Sequence, residues 1–176
     1  NYNWVSECEK LASRIRKRVL SHAVIHGGYL SQACSSAEVF AYLYEKGLKL
    51  GPSNGPLVPL PFSGTPSSTN SKHRSGMEYN GLRQPEYDRF FLSPTHYAMT
   101  LYSVLIETNR LGKNGLEQFN TDGSTIEMIG GEHSPGHETN GGSFGQTISQ
   151  AAGVAWARRT KGDSGIVCVF LSDGEC

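Results

Sequence analysis

Three short segments of the sequence carry residue types suited to holding an anionic ligand and a metal ion. Ser172-Asp173-Gly174-Glu175 follows directly on a continuously apolar run, residues 166–171. In open α/β sheets ligands bind at the carboxyl ends of strands, so Asp173 would there present a carboxylate to a metal or face a phosphate. Mg²⁺ suits that position, because it takes one or two hard oxygen ligands from the protein and completes its shell with phosphates and water. Gly141-Gly142-Ser143-Phe144-Gly145-Gln146 precedes a segment of helical pattern. Glycines let the backbone approach a ligand closely, and a helix start offers N–H donors and a positive dipole end to a pyrophosphate. Ser93-Pro94-Thr95-His96 sets a histidine, able to move or share a proton, in the first turn of another helix.

Each piece alone also reads as ordinary structure. An Asp-Gly after a strand is often a plain turn, a glycine pair before a helix is often a tight connection, and a helix-start histidine often makes a local hydrogen bond. The glycine segment matches neither the Walker lysine pattern nor G-x-G-x-x-G. His133 and His137 have the H-x-x-x-H spacing of zinc ligands, but Pro135-Gly136 between them breaks the helix that would put both imidazoles on one face.

The elements that must position these groups are legible as patterns. From Trp4 to His26 the apolar residues Val5, Cys8, Ala12, Ile15, Val19 and Ala23 recur at three- and four-residue spacing, predicting an amphipathic helix with a Ser6/Glu9 capping box that ends at Gly27-Gly28. A second helix is expected after Ser35, capped by Ser35 and Glu38, with Ala37, Phe40, Ala41, Leu43 and Tyr44 inward and a close near Gly47. A third would start with Ser93 as cap and Pro94 at the first helical position and run to Gly112, followed by a helical turn over 116–120. A fourth is predicted over 146–161, burying Ile148, Ala152, Ala155 and Trp156, with Val154 and Trp156 extending its apolar surface toward a second subunit. Residues 166–171 read as a strand buried on both faces of a parallel sheet. The expected class is helix-rich α/β with a parallel sheet, cut after one central strand. Residues 51–87 hold six of the eight prolines, five glycines and eight apolar residues, and read as a proline-rich surface insertion within a single partial domain over 1–176. The opening Asn1 and the stop just past an Asp-Gly turn suggest that both ends are cut.

Composition excludes several function classes. With the 21 glycines added to the 37 % of apolar residues, about half the chain is of core-building type, as in a folded domain rather than a disordered tail. Sixteen basic side chains balance sixteen acidic ones, so no global field gathers nucleic acid or anionic lipid. No apolar run approaches a membrane span. Cys8, Cys34, Cys168 and Cys176 lie far apart without a C-x-x-C pair, which disfavours a disulfide framework or zinc knuckle and makes a cytoplasmic location the expectation. A nucleotide-binding module would need a phosphate loop after its first strand, and none is present.

In order along the chain, Arg16-Lys17, Ala37-Glu38, Leu43-Tyr44, the run Asp88-Arg89-Phe90-Phe91-Leu92-Ser93, His96, Leu101-Tyr102, Pro135-Gly136, Gly142 to Gln146, Gly153 and Asp173-Gly174-Glu175 resemble the N-terminal, thiamine-diphosphate-binding section of transketolases. The likeness is closest to split transketolases, in which this section is a separate subunit. It implies that Asp173 binds Mg²⁺, that Gly174 lies under the diphosphate, that Gly142 and Phe144 line the cofactor, and that His96 sits beside diphosphate or substrate as the catalytic candidate. It implies ketol transfer between a ketose and an aldehyde, an oligomer, and a C-terminal section or subunit supplying the glutamate that activates the aminopyrimidine. The sequence departs from the family at two histidine positions, which fall on Tyr29, if one residue is deleted, and on Ile129. Ser172, Pro94-Thr95 and Thr147 also stand where glycines are usual, and His26, His133 and His137 are candidates to compensate for the absent histidines. Two alternatives stay open: a subunit of specialised metabolism acting on something other than a sugar phosphate, and a degenerate assembly partner.

Overall fold

The computed structural model describes residues 3–176. Helix α1 (Asn3–His26) buries Cys8, Leu11, Ala12, Ile15, Val19 and His22 along one stripe. Full burial of each Leu, Ile or Val in such a stripe stabilises by about 1.5–3 kcal/mol. Ser6 lies inside this helix, so the expected Ser6/Glu9 capping box does not start it. A short helix α2 (Leu30–Ser35) follows, then α3 (Ala37–Tyr42), which widens into a single π-helical turn over Leu43–Gly47. Ser36, rather than Ser35, occupies the cap position of α3, and Phe40, Ala41 and Tyr44 point inward as their spacing predicts. Both α3 and helix α4 (Ala98–Glu107) pack against α1. The core between them centres on Leu11, Ile15, Phe40, Leu101, Tyr102 and Leu105.

Strand β1 (Arg89–Leu92) was legible only as part of the family motif and not as a strand. It pairs in parallel with β2 (Val167–Phe170), with Arg89 opposite Val167 and Leu92 opposite Phe170. Phe90, Phe91 and Leu92 are buried, whereas every residue of β2 is half-buried and Ile166 is exposed. The expectation of a strand covered on both faces is therefore corrected for β2: among the described residues only β1 is its neighbour. At the amino ends, Asp88 accepts hydrogen bonds from the backbone N–H of Lys49 (2.7 Å) and of Ile166 (2.8 Å).

Helix α5 (Gln146–Lys161) has the predicted bounds and the opposite buried face. Thr147, Ala151 and Arg158 are buried, while Ile148 is 42 % and Trp156 74 % exposed. The cause is close packing on the strands: the small Thr147 and Ala151 let the helix approach, and Arg158 donates to the carbonyls of Pro85 (2.9 Å) and Tyr87 (2.8 Å). Both bonds come from one terminal nitrogen, and the Asp163 carboxylate lies 3.7 Å from Nε, so the buried charge is partly compensated at an otherwise apolar seam.

Within residues 51–87 the chain is mostly exposed, but a 3-10 turn at Gly76–Asn80 buries Met77, Tyr79 and Asn80. The Gly76 N–H donates to the Glu132 carbonyl (2.7 Å) and the Gly136 N–H to the Gly76 carbonyl (2.8 Å). Tyr44 donates to the Asn80 side chain (2.8 Å), which donates in turn to the Gly136 carbonyl (3.1 Å). This chain of buried hydrogen bonds fixes the stretch leading into the glycine segment. No helix among the described residues is long and apolar enough to cross a membrane.

Candidate active site

The carboxyl ends of β1 and β2 meet the start of α5 at one carboxylate, that of Glu175. After β2 the chain forms a 3-10 turn, Asp173–Glu175, closed as a capping box in which the Glu175 carboxylate accepts from the N–H and the hydroxyl of Ser172, both at 2.9 Å. Its other oxygen accepts from the Ser93 hydroxyl and from the Gly145 N–H (3.0 Å). Burial pushes this carboxyl up, but the hydrogen bonds from Ser172, Ser93 and Gly145 outweigh it and hold it below the usual carboxylate range.

That geometry explains why the predicted cap of α4 does not form. Ser93 gives its hydroxyl to Glu175, Pro94 is extended, and only then does the chain turn through a 3-10 segment, Thr95–Tyr97, into α4. His96 thus sits just beyond the end of β1, half-buried. Its ring meets those of Tyr29 and Phe144, each with centroids 5.7 Å away. Phe144 itself is 66 % exposed.

The glycine segment is shaped by its neighbours. A Cβ on Gly141 would lie 2.0 Å from Cγ2 of Thr95, so only glycine passes there. Gly142 and Gly145 have φ of +100° and +80°, and Gly145 opens α5 without a side-chain cap on the helix. Arg89, at the start of β1, anchors the upstream end through two 2.7 Å contacts from its Nε to the Glu138 carboxylate. The Glu138 side chain is 1 % exposed.

Asp173 and Gly174 are exposed, and Gly174 has open space where a Cβ would stand. Among the described residues no group of three or more His, Cys, Asp or Glu forms a complete metal cage. A lone exposed carboxylate beside glycine backbone and an uncapped helix start fits an ion whose remaining ligands are phosphate oxygens and water, and so fits a metal-bound diphosphate.

Of the residues singled out in the sequence, the structure brings His96, Phe144 and Tyr29 together. It sets Ile129 beside Gly142, with Cγ2 3.9 Å from where a Cβ would be. The three candidate compensating histidines are engaged elsewhere. His26 stacks on His22 (4.6 Å), His133 pairs with Glu127 (3.2 Å) and lies against Phe62, and His137 is buried beside Tyr102. Sequence reasoning missed the roles of Glu175, Ser93 and Thr95. The spacing Ser172-x-x-Glu175 was the available signal, since serine followed three residues later by glutamate is a capping-box pattern.

A parallel strand pair whose carboxyl ends meet a glycine loop and a helix start is the arrangement at which α/β proteins bind their ligands. Residues 73–165 match the family described as transketolase, thiamine diphosphate binding domain, and the chain belongs to that family. It is also similar to an uncharacterized transketolase family protein of Sinorhizobium fredii, 32 % identical over 166 residues that cover 93 % of this chain and 50 % of the relative. The chain spans about half the length of that curated relative.

Proposed function

We propose that this chain is the cofactor-binding section of a thiamine-diphosphate-dependent transketolase, acting with a C-terminal section or subunit to move a two-carbon ketol unit from a ketose to an aldehyde. The observation that carries the reading is the convergence of the Asp173–Glu175 turn, the 141–145 loop and the His96 segment at the carboxyl ends of β1 and β2. In this reading Asp173 contributes a carboxylate oxygen to Mg²⁺, and Gly174 and Gly142 leave room for the diphosphate. Phe144 covers the cofactor, and His96 offers an imidazole for hydrogen bonding or proton transfer to the substrate. When bound, thiamine diphosphate supplies the nucleophilic carbon and electron sink needed to cleave a ketose carbon–carbon bond. The partner section provides the glutamate that activates the aminopyrimidine.

The test is a cofactor titration of the complete complex with and without Mg²⁺. Saturable, Mg²⁺-dependent binding that is abolished in Asp173→Ala, with the fold retained by circular dichroism, is the expected result. Undiminished binding in that variant would place the metal elsewhere, and absence of binding by the wild type would leave the chain an assembly partner.

A second substrate reading is favoured by Tyr29 and Ile129. Ile129 lies against Gly142 and offers no hydrogen bond where an imidazole would, and Tyr29 sets an aromatic ring against His96 with a single hydroxyl at its far end. A pocket so lined fits a donor or acceptor less polar than the common sugar phosphates.

A further inference from the structure

Among the described residues, Glu175 is the one group whose hydrogen bonds reach all three segments of the site. One carboxylate oxygen accepts from Ser93, at the end of β1, and from the Gly145 N–H, at the junction of the glycine loop with α5. The other accepts from the N–H and hydroxyl of Ser172, at the end of β2. We propose that Glu175 is a positioning residue: by accepting from Ser93, Gly145 and Ser172 together, it holds the 141–145 loop against both strand ends in the shape that receives the diphosphate. The role in cofactor binding rests on the function proposed above, whereas the clamp on the loop stands on the hydrogen bonds alone.

The chemistry requires a carboxylate. Each of its two oxygens serves two donors, and both oxygens must be acceptors. A glutamine keeps the shape but turns one oxygen into an NH₂ group, which would face either the Ser93 and Gly145 pair or the Ser172 pair, donor against donor. An aspartate keeps the charge but is one methylene shorter, so it cannot hold the Ser172 turn while spanning to Gly145. The loop has little else to hold it at this point. Gly145 is the residue before α5, it receives no side-chain cap, and its N–H is committed to Glu175. Thr95 limits the loop from the other side, where its methyl group lies against Gly141. Released from Glu175, the loop would swing about Gly142 and Gly145, both of positive φ, and the helix start would move away from the Asp173 turn.

The experiment uses the complete protein with its complementary section and compares wild type, Glu175→Gln, Ser93→Ala and the double variant. Hydrogen exchange without cofactor reads the clamp directly, and calorimetry with Mg²⁺ and thiamine diphosphate reads its consequence. Glu175→Gln is expected to speed exchange across residues 141–147 by about tenfold and to weaken cofactor binding ~10–100-fold, as loss of an outer partner of a metal site does. Turnover at saturating cofactor should fall less than about threefold, because the group does not touch the reacting atoms. Ser93→Ala should give a smaller effect in the same direction, and the two should combine less than additively, since they remove one interaction. Unchanged exchange over 141–147 in both single variants would overturn the clamp. Faster exchange with unaltered cofactor affinity would overturn its role in binding. If the wild type binds no cofactor, the function proposed above fails, and the exchange measurement alone judges Glu175.

Discussion

Tyr29 and His96 meet edge to face, with ring centroids 5.7 Å apart and 66° between their planes. The phenol therefore borders the imidazole just beyond the end of β1, at one of the two positions where ordinary transketolases are expected to carry a histidine. Ile129 occupies the other, against Gly142. Restoring histidine at both positions should raise activity of the reconstituted enzyme toward sugar phosphates, each recovered hydrogen bond contributing about 0.5–1.5 kcal/mol, or roughly two- to tenfold. Steady-state assays with xylulose 5-phosphate check this. Wild-type turnover as efficient as that of an ordinary transketolase would remove the case for an altered pocket.

The ion pair beneath the loop should matter to stability. Glu138 is almost wholly enclosed and Arg89 nearly so, and removing one partner of a buried pair leaves the other charge uncompensated. Glu138→Ala is expected to cost on the order of 3 kcal/mol in urea denaturation. A loss below about 0.5 kcal/mol would mean that the pair is solvated in solution.

The seam between α5 and the strands gives a paired test. Ala151 is 1 % exposed and Trp156 74 %. Ala151→Leu should destabilise by about 1–3 kcal/mol through overpacking, while Trp156→Ala should stay within about 0.5 kcal/mol. The reverse ordering in thermal melts would return the helix to the face its sequence predicts.

Acid should weaken the fold before any carboxylate network is lost. Burial pulls His137 and His22 down from the ordinary 6.5 to about 4, for His22 with help from the neighbouring His26. Between those values the unfolded chain binds the protons and the folded chain does not, so stability is full above pH 6.5 and falls as the pH drops toward 4. For the fully buried His137 the loss reaches roughly 2 kcal/mol by pH 5. Denaturation curves at pH 7.5 and 5.0 check it. A His137→Gln variant should show a flatter dependence, and an equally steep one would assign the effect to other groups.

Much of the fold was legible where periodicity was strong. The stripe of α1 and the limits of α5 follow from apolar spacing and from Gly162, which closes α5 in the left-handed conformation. The buried face of α5 was misread because hydropathy ranks tryptophan and isoleucine above arginine. Close packing on the strands instead favoured threonine and alanine, with one Arg158 nitrogen held by two carbonyls. Strand β1 is four residues long, too short for a pattern to declare itself. In the site, the types and spacing of His96, Gly142, Phe144, Asp173 and Gly174 single out segments that the structure gathers at the strand ends. The role of Glu175 was hidden, because its partners Ser93 and Gly145 are distant in sequence and only the parallel pairing of the strand ends brings them within reach.

That pairing also sets the order in which the protein can assemble. Ile166 and Asp88, joined at the amino end of the strand pair, are 78 positions apart, whereas α1 can collapse on α2 and α3, its near neighbours in sequence. Closing so long a loop costs entropy before the strands return any contact energy. The packing of α1 on α2 and α3 is therefore expected to form early and β2 to dock late, which pulsed hydrogen exchange during refolding would register as delayed protection of residues 167–170 relative to α1. The Asp173–Glu175 turn and its hold on Ser93 and Gly145 would then be the last part of the proposed site to form, since both depend on where β2 ends.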